Sequence, residues 1–191
     1  AVEKLLKNEA RLETPGKPSA ISVMIQPIRL SIASADYSAI QAASSALFQD
    51  GMASRIPNKV RVEKALSYAT GGMVIADLKG DFGMVLLYTM TKPENAGKAL
   101  DLIRTELVEA LKTGVTEEEL ATFKKGYANQ VSQARADDAR LAGTIVTLKV
   151  AGKDFVFWNK LDEASANLTL EDVNAALRKY VDPSKMGTIQ V

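Results

Sequence analysis

The chain has 191 residues, with 47% hydrophobic and 25% charged side chains, 24 basic and 23 acidic groups and a net charge of +1. These values are typical of a single globular domain. They exclude a chain that is disordered throughout and indicate no basic surface for nucleic acid. The absence of histidine and cysteine excludes a disulfide, a Ser-His-Asp triad, a thiol nucleophile and a histidine- or thiolate-bound zinc within the chain. Carboxylate oxygens are the remaining metal ligands, and they suit hard cations.

The first 18 residues are predicted to lead into the domain. Residues 1–13 have a weak helical pattern, and the T-P-G-K-P run at 14–18 breaks the chain. The N-terminus is charged and lacks an initiator methionine and the apolar core of a signal peptide, and no apolar run is long enough to span a membrane. We therefore expect a piece of a longer chain, with a linker or helical lead-in (1–18) and a single domain (19–191).

The first half of the domain is predicted to consist mainly of strands. A β-branched run at 19–32 predicts a strand that bulges or ends near Pro27, which cannot donate to a ladder. Small residues in a predicted helix at 36–50 indicate close packing on a sheet, and a short helix follows that ends near Lys64. Alternating residues then predict an antiparallel hairpin that turns near 79–81, with a bulge or a close backbone approach at Gly71–Gly72.

The second half is predicted to be helical. Apolar residues recur every three or four positions, and proline, glycine and capping residues mark the ends of the helices. Because strands mostly precede helices, we predict an α+β fold with helices on one face of the sheet. The predicted helices lie at 93–114, at 116 to about 143, and at about 144–151, 155–165 and 169–180, and a final strand closes the chain.

Several acidic motifs have ordinary structural explanations. The D-F-G string at 81–83 lacks every other kinase motif, so it is interpreted as a turn that opens a strand. Glu117–Glu119 follow Thr116 as the capped first turn of a helix, where carboxylates are favoured. Asp137–Asp138 are interpreted as part of a solvated helix face.

Arg61 and Tyr68 lie seven positions apart, where the predicted short helix meets the first strand of the hairpin. Arginine offers a permanent charge and fixed N–H donors, and tyrosine offers a hydroxyl on a stiff ring. Aimed at a peptide carbonyl, both groups would stabilise a developing oxyanion. Residue chemistry alone also fits a surface arginine and a half-buried tyrosine. Whether one helix runs through both residues or ends between them is left open by the pattern.

From about residue 14 to the C-terminus, five segments follow one another in a specific order: ADYSAIQAASSALFQDGMASRI, KVRVEKALSYAT, TKPENAGKALDLIRTEL, GVTEEEL and LTLEDVNAALRKYVDPSKM. Their order and spacing resemble the C-terminal, non-catalytic half of the M16 zinc metallopeptidases, the pitrilysin/insulinase family. FQDG replaces the glycine-rich turn that is frequent in the family, and Pro57 falls within the short helix.

The resemblance implies an M16 metallohydrolase-like fold, which is an α+β two-layer sandwich with a mainly antiparallel sheet and helices on one face. It also implies a substrate-binding half of a zinc metalloendopeptidase that is inactive by itself. Arg61 and Tyr68 match the family's arginine–tyrosine pair, which implies that they bind the peptide backbone and support the tetrahedral intermediate. No catalytic residue and no metal ligand is expected in this chain. Zinc would be bound by an H-x-x-E-H domain in the same polypeptide or in a partner subunit. The resemblance also implies a periplasmic location. The alternative is a non-catalytic scaffold subunit of a larger complex.

Overall fold

The computed structural model describes residues 9–49, 51 and 53–191. These residues form one β-sheet and a layer of helices. The strands are β1 (Glu9–Arg11), β2 (Ala20–Arg29), β3 (Ser67–Ala76), β4 (Phe82–Thr91) and β5 (Gly187–Gln190). The α-helices are α1 (Tyr37–Leu47), α2 (Arg55–Pro57), α3 (Ala96–Thr113), α4 (Glu117–Ala136), α5 (Asp138–Ala151), α6 (Phe155–Ala166) and α7 (Leu170–Tyr180); a π-helical segment (Asn58–Glu63) continues α2.

The five strands form one sheet in the order β1-β5-β2-β4-β3. Strands β2, β4, β3 and β5 pair antiparallel, whereas β1 pairs parallel to β5. The helical interpretation of residues 1–13 is therefore wrong for residues 9–13, of which Glu9–Arg11 form β1. Residues 1–8 lie outside the described residues. Local pattern could not reveal β1, because its partner strand is at the other end of the chain.

One face of the sheet carries the hydrophobic core. Helices α1 and α3 pack on this face, and α7 packs against α1. Buried alanines let α1 approach its neighbours closely, and Gln26 of β2 binds the backbone at the end of α7 through Tyr180 O (3.0 Å) and Asp182 N (2.9 Å). The predicted α+β two-layer fold with helices on one sheet face is confirmed.

Strand β2 passes Pro27 without interruption. Its pairing with β4 stays in register from Ala20 to Arg29, with Pro27 opposite Met84, so the predicted bulge or strand end is wrong. The pairing with β5 covers only Ser22–Ile25. Pro27 therefore lies where β2 has a neighbouring strand on one side only, which is where a strand tolerates a residue without an N–H.

The helix predicted from 116 to about 143 is two helices. Asp137 leaves the helical conformation and its side chain accepts a hydrogen bond from Arg140 N (2.9 Å), so it caps α5. Aspartate is a preferred N-cap residue, which explains the break within an otherwise helical run. The helices predicted at 93–114 and 169–180 are observed as α3, preceded by a short 3-10 turn, and α7. Among the described residues, no helix is both long and apolar enough to cross a membrane.

Candidate functional site

Arg61 lies on a short helix that long-range contacts hold in place. Ile56 and Val60 are fully buried on its inner side, while Arg61 lies on the exposed side. Ser54, just before the helix, donates a hydrogen bond to Ser45 O at 2.7 Å and ties it to α1. Pro57 is the third helical residue, in the first turn, where a missing N–H costs no helical hydrogen bond.

The helix changes geometry before it ends. Asn58–Glu63 is π-helical, with Lys64 N donating to Lys59 O at 3.1 Å. Ala65 then adopts a left-handed conformation (φ 49°), and Leu66 N donates to Val60 O at 3.0 Å. A left-handed alanine costs about 1–2 kcal/mol. The helix thus ends between Arg61 and Tyr68, and the two residues lie on different elements.

Tyr68 occupies a β-bulge at the start of β3. Ser67 pairs with Thr91 and Ala69 with Met90, so Tyr68 is the extra residue of the irregular pair. Its side chain is 51% exposed. The predicted bulge at Gly71–Gly72 is wrong, but the alternative of close backbone approach is confirmed, since a Cβ on Gly72 would lie 2.6 Å from Leu86 O.

The side chains of Arg61 and Tyr68 are both exposed, and neither makes a hydrogen bond or ion pair with the part of the chain that the structure describes. The neighbouring Lys59 binds Glu63 at 2.9 Å, which raises the pKa of Lys59 and balances its charge. Arg61 therefore keeps its donors and its charge available for an anionic or carbonyl group. π-Helical turns, left-handed residues and bulges often mark functional sites, and all three lie between positions 58 and 68.

An ion pair that the sequence interpretation missed anchors this region. Arg55 binds Glu119 with two hydrogen bonds, Nε–Oε1 at 3.0 Å and Nη2–Oε2 at 2.6 Å, and donates to Gly114 O at 3.0 Å. Both side chains are partly buried. The bidentate pair fixes the start of the helix that carries Arg61 to the start of α4. The sequence signal that could have indicated this ion pair was the arginine that directly precedes Ile56, which is buried.

Glu119 has two roles at the start of α4. Its side chain accepts a hydrogen bond from Thr116 N (2.8 Å) and completes the predicted capping box. Burial raises the pKa of Glu119, but the hydrogen bonds from Arg55 and Thr116, together with the Arg55 charge, outweigh it and leave the pKa below its ordinary value. Glu119 is therefore a structural carboxylate, as the capping interpretation predicted.

The residues that the structure describes form no zinc site. Neither histidine nor cysteine occurs in the sequence, and the described residues contain no group of three or more acidic side chains that could hold a metal ion. Asp137 caps α5, and the D-F-G string forms the turn into β4, as predicted, with Arg29 bound to Asp81 at 2.6 Å. A metal-dependent step cannot be derived from these residues.

The fold is one that bacterial peptidases share. A peptidase M16 inactive domain from Pseudomonas fluorescens superposes with a TM-score of 0.83 and 23% identity, over 95% of this chain and 42% of that chain. The periplasmic protease PqqL from Escherichia coli superposes with a TM-score of 0.78 and 20% identity, over 97% of this chain and 20% of that chain. These likenesses define the class of fold.

The sequence places the chain in a family. The family model for the peptidase M16 inactive domain matches residues 2–127, so the chain belongs to that family. "Probable zinc protease PqqL" of Escherichia coli (strain K12) is 23% identical over 135 residues, which cover 70% of this chain and 14% of that protein. This chain therefore spans less than half the length of the relatives named here.

Proposed function

We propose that this chain is the substrate-binding, catalytically incomplete half of an M16-type zinc metalloendopeptidase, and that Arg61 and Tyr68 bind the peptide substrate. The observation that carries the proposal is the exposure of both side chains, without partners among the described residues, on irregular backbone in an M16 inactive domain. Side chains that serve only packing or surface ion pairs would not need this arrangement.

The two side chains would act together on one carbonyl group. The Arg61 guanidinium supplies a permanent charge and fixed N–H donors, and the Tyr68 hydroxyl supplies a donor on a stiff ring. Donors held before the reaction begins stabilise the negative charge that develops on the carbonyl oxygen as it is attacked. The Arg55–Glu119 pair supports this role, since it anchors the helix that carries Arg61.

Zinc and the group that activates water would come from a partner, either another domain of the same polypeptide or another subunit. A zinc ion bound there would polarise the scissile carbonyl or the attacking water. Two observations support a partner: the sequence has no histidine or cysteine and the described residues contain no acidic cluster that could hold a metal ion, and the stretch that matches "Probable zinc protease PqqL" covers only 14% of that protein. The periplasmic location of PqqL supports the same compartment for this chain.

The test is peptide hydrolysis by the full-length enzyme carrying Arg61→Ala or Tyr68→Phe. Losing one oxyanion donor typically lowers kcat by about 10²–10³-fold, and we expect losses of this order with unchanged zinc content. Arg140→Ala is the matched control, since Arg140 is an exposed arginine whose side chain has no partner among the described residues. Wild-type turnover in both site variants would refute the assigned role. A full-length protein without H-x-x-E-H and without zinc would instead favour the scaffold function.

A further inference from the structure

A network of hydroxyl groups joins the residues on either side of Tyr68 to strand β4. Ser67 Oγ lies 2.7 Å from Thr70 Oγ1, and Thr70 Oγ1 lies 2.9 Å from Thr89 Oγ1. Thr89 Oγ1 also donates a hydrogen bond to Ala69 O at 3.4 Å. Thr70 and Thr89 are buried, with 2% and 0% of their surface exposed. We call Ser67, Thr70 and Thr89 the hydroxyl network.

The direction of the hydrogen bonds in the hydroxyl network follows from the number of protons. Each hydroxyl group has one proton to donate. Thr89 donates its proton to Ala69 O, so Thr70 must donate to Thr89 and Ser67 must donate to Thr70. The network therefore runs from the residue before Tyr68 to the backbone of the residue after it, and Thr70 takes part in two of its three hydrogen bonds.

The bond between Ser67 and Thr70 depends on the β-bulge. In a regular strand, residues three positions apart point to opposite faces of the sheet and lie about 10 Å apart along the strand. The extra residue Tyr68 changes this alternation and brings the two hydroxyl oxygens within 2.7 Å of each other. Because a regular strand could not form this bond, the bond stabilises the bulged conformation against the regular one.

The position of Tyr68 depends on its backbone. Its side chain is 51% exposed and makes no hydrogen bond within the described part of the chain. On one side of Tyr68, Leu66 N donates to Val60 O at 3.0 Å; on the other side, the hydroxyl network fixes the strand. Ser22 of β2 pairs with Thr89, but its buried hydroxyl has no partner among the described residues, so the network extends toward the bulge and not toward β2.

We propose that Ser67, Thr70 and Thr89 are positioning residues, whose hydroxyl network selects the bulge and so holds the Tyr68 hydroxyl where it binds a substrate carbonyl. This inference rests on the proposed function. The two threonines are buried, so they act through Tyr68 and do not touch the substrate. Oxyanion donors must be in place before the reaction begins, and a displacement of about 1 Å can lower the rate by about 10²-fold.

The kinetic test compares Thr70→Val with Thr70→Ser in the full-length enzyme. Valine has the shape of threonine but removes both hydrogen bonds of Thr70, whereas serine keeps the hydroxyl group. We expect Thr70→Val to lower kcat by about tenfold or more and to leave KM within about twofold, because a donor that acts in the transition state affects kcat and kcat/KM equally. Thr70→Ser should retain most of the activity.

Thr188→Val is the matched control for the loss of a buried threonine hydroxyl. Thr188 of β5 is 3% exposed, and its hydroxyl accepts a hydrogen bond from Arg104 Nη2 at 2.7 Å. Two strands, β2 and β4, separate β5 from the bulge in β3. We therefore expect Thr188→Val to keep the kcat of the wild-type enzyme.

A spectroscopic measurement follows the position of Tyr68 without substrate. A fluorotyrosine incorporated at position 68 gives a fluorine resonance whose chemical shift and width depend on the surroundings of the ring. We expect Thr70→Val to shift or broaden this resonance, and we expect Thr70→Ser and Thr188→Val to leave it unchanged. If Thr70→Val does not fold, Ser67→Ala replaces it in both measurements, since Ser67 is the partly exposed end of the network.

An unchanged resonance in Thr70→Val would overturn the proposal. Equal losses of kcat in Thr70→Val and Thr188→Val would also overturn it, because a general weakening of the fold would then explain both. So would a shifted resonance with unchanged turnover in an enzyme that Tyr68→Phe impairs. Wild-type turnover in Tyr68→Phe would instead refute the proposed function, and the fluorine resonance would then decide by itself whether the hydroxyl network positions Tyr68.

Discussion

Helix α7 and the helix that carries Arg61 both bury apolar side chains in the same core, but their ends differ. Helix α7 begins with a complete capping box between Thr169 and Asp172. The helix that carries Arg61 begins without a side-chain cap, continues as a π-helix and ends at a left-handed alanine. A local capping box stabilises the start of α7, whereas the other helix is held by its ion pair with Glu119, which is distant in sequence, and by a hydrogen bond to Ser45 of α1. This difference between the two helices shows that the position of Arg61 depends on contacts with other elements of the fold, chiefly the Arg55–Glu119 pair.

The strongest test of this dependence is Arg55→Ala. It leaves the partly buried Glu119 without its charged partner, so we expect the free energy of unfolding to fall by about 2 kcal/mol. Arg29→Ala is the control, because the Arg29–Asp81 pair is exposed and should contribute less than about 1 kcal/mol. Urea denaturation of both variants measures the difference. Equal, small losses would show that the site segment does not depend on Arg55.

Because Glu119 is charged, part of the stability that the Arg55–Glu119 pair contributes should depend on pH. Glu119→Gln keeps a capping side chain at the third helical position but removes the charge that binds Arg55, and we expect a loss of about 1–2 kcal/mol at pH 7.

The pKa of Glu119 is lowered in the folded protein. The stability it contributes is therefore fully present above its ordinary pKa of about 4.5 and is lost as the pH falls through the lower, folded value. We expect the urea midpoints of the wild-type protein and of the Glu119→Gln variant to converge as the pH is lowered from 7 to 3. A gap that stays constant over this range would contradict the assignment, since the remaining carboxylates are common to both proteins.

The N-terminal cap of α7 allows the same kind of test on the regular helix of the comparison. Thr169→Ala removes the oxygen that accepts from Asp172 N at 3.1 Å, and we expect a loss of about 1 kcal/mol. Thr169→Ser should retain most of the stability, because serine offers the same acceptor. Thermal unfolding measures both variants. The two variants would be equally stable if the hydroxyl did not matter.

The smallest expected effect is an increase in stability. Ala65 has φ 49°, a conformation that glycine adopts without the steric cost that alanine pays, so Ala65→Gly should raise the free energy of unfolding by about 0.5–1 kcal/mol.

Ala175→Gly makes the same exchange at an exposed position inside α7 and should lower the free energy of unfolding by about 1 kcal/mol. Denaturation curves for the two variants should therefore shift in opposite directions. A loss of stability at both positions would mean that the left-handed backbone is not a source of strain.

The elements with local signals could be predicted from the sequence. The capping boxes at Thr116 and Thr169 mark the starts of α4 and α7, and the turn near 79–81 joins β3 and β4. The failures occurred where a distant partner decides the structure, as in β1, which pairs with β5, and in Pro27, which lies beyond the end of β5. The bulge was expected at the glycines, whereas the register places it at Tyr68.

By itself, the sequence determined the fold class, the absence of histidine and cysteine and the spacing of Arg61 and Tyr68, because residue types and periodicity are local properties. Tertiary structure decided that the two residues lie on different elements and that the Arg55–Glu119 ion pair anchors the helix that carries Arg61. These features depend on which distant segments meet, and only the packed chain brings Arg55 to Glu119 and sets the strand register that places the bulge at Tyr68.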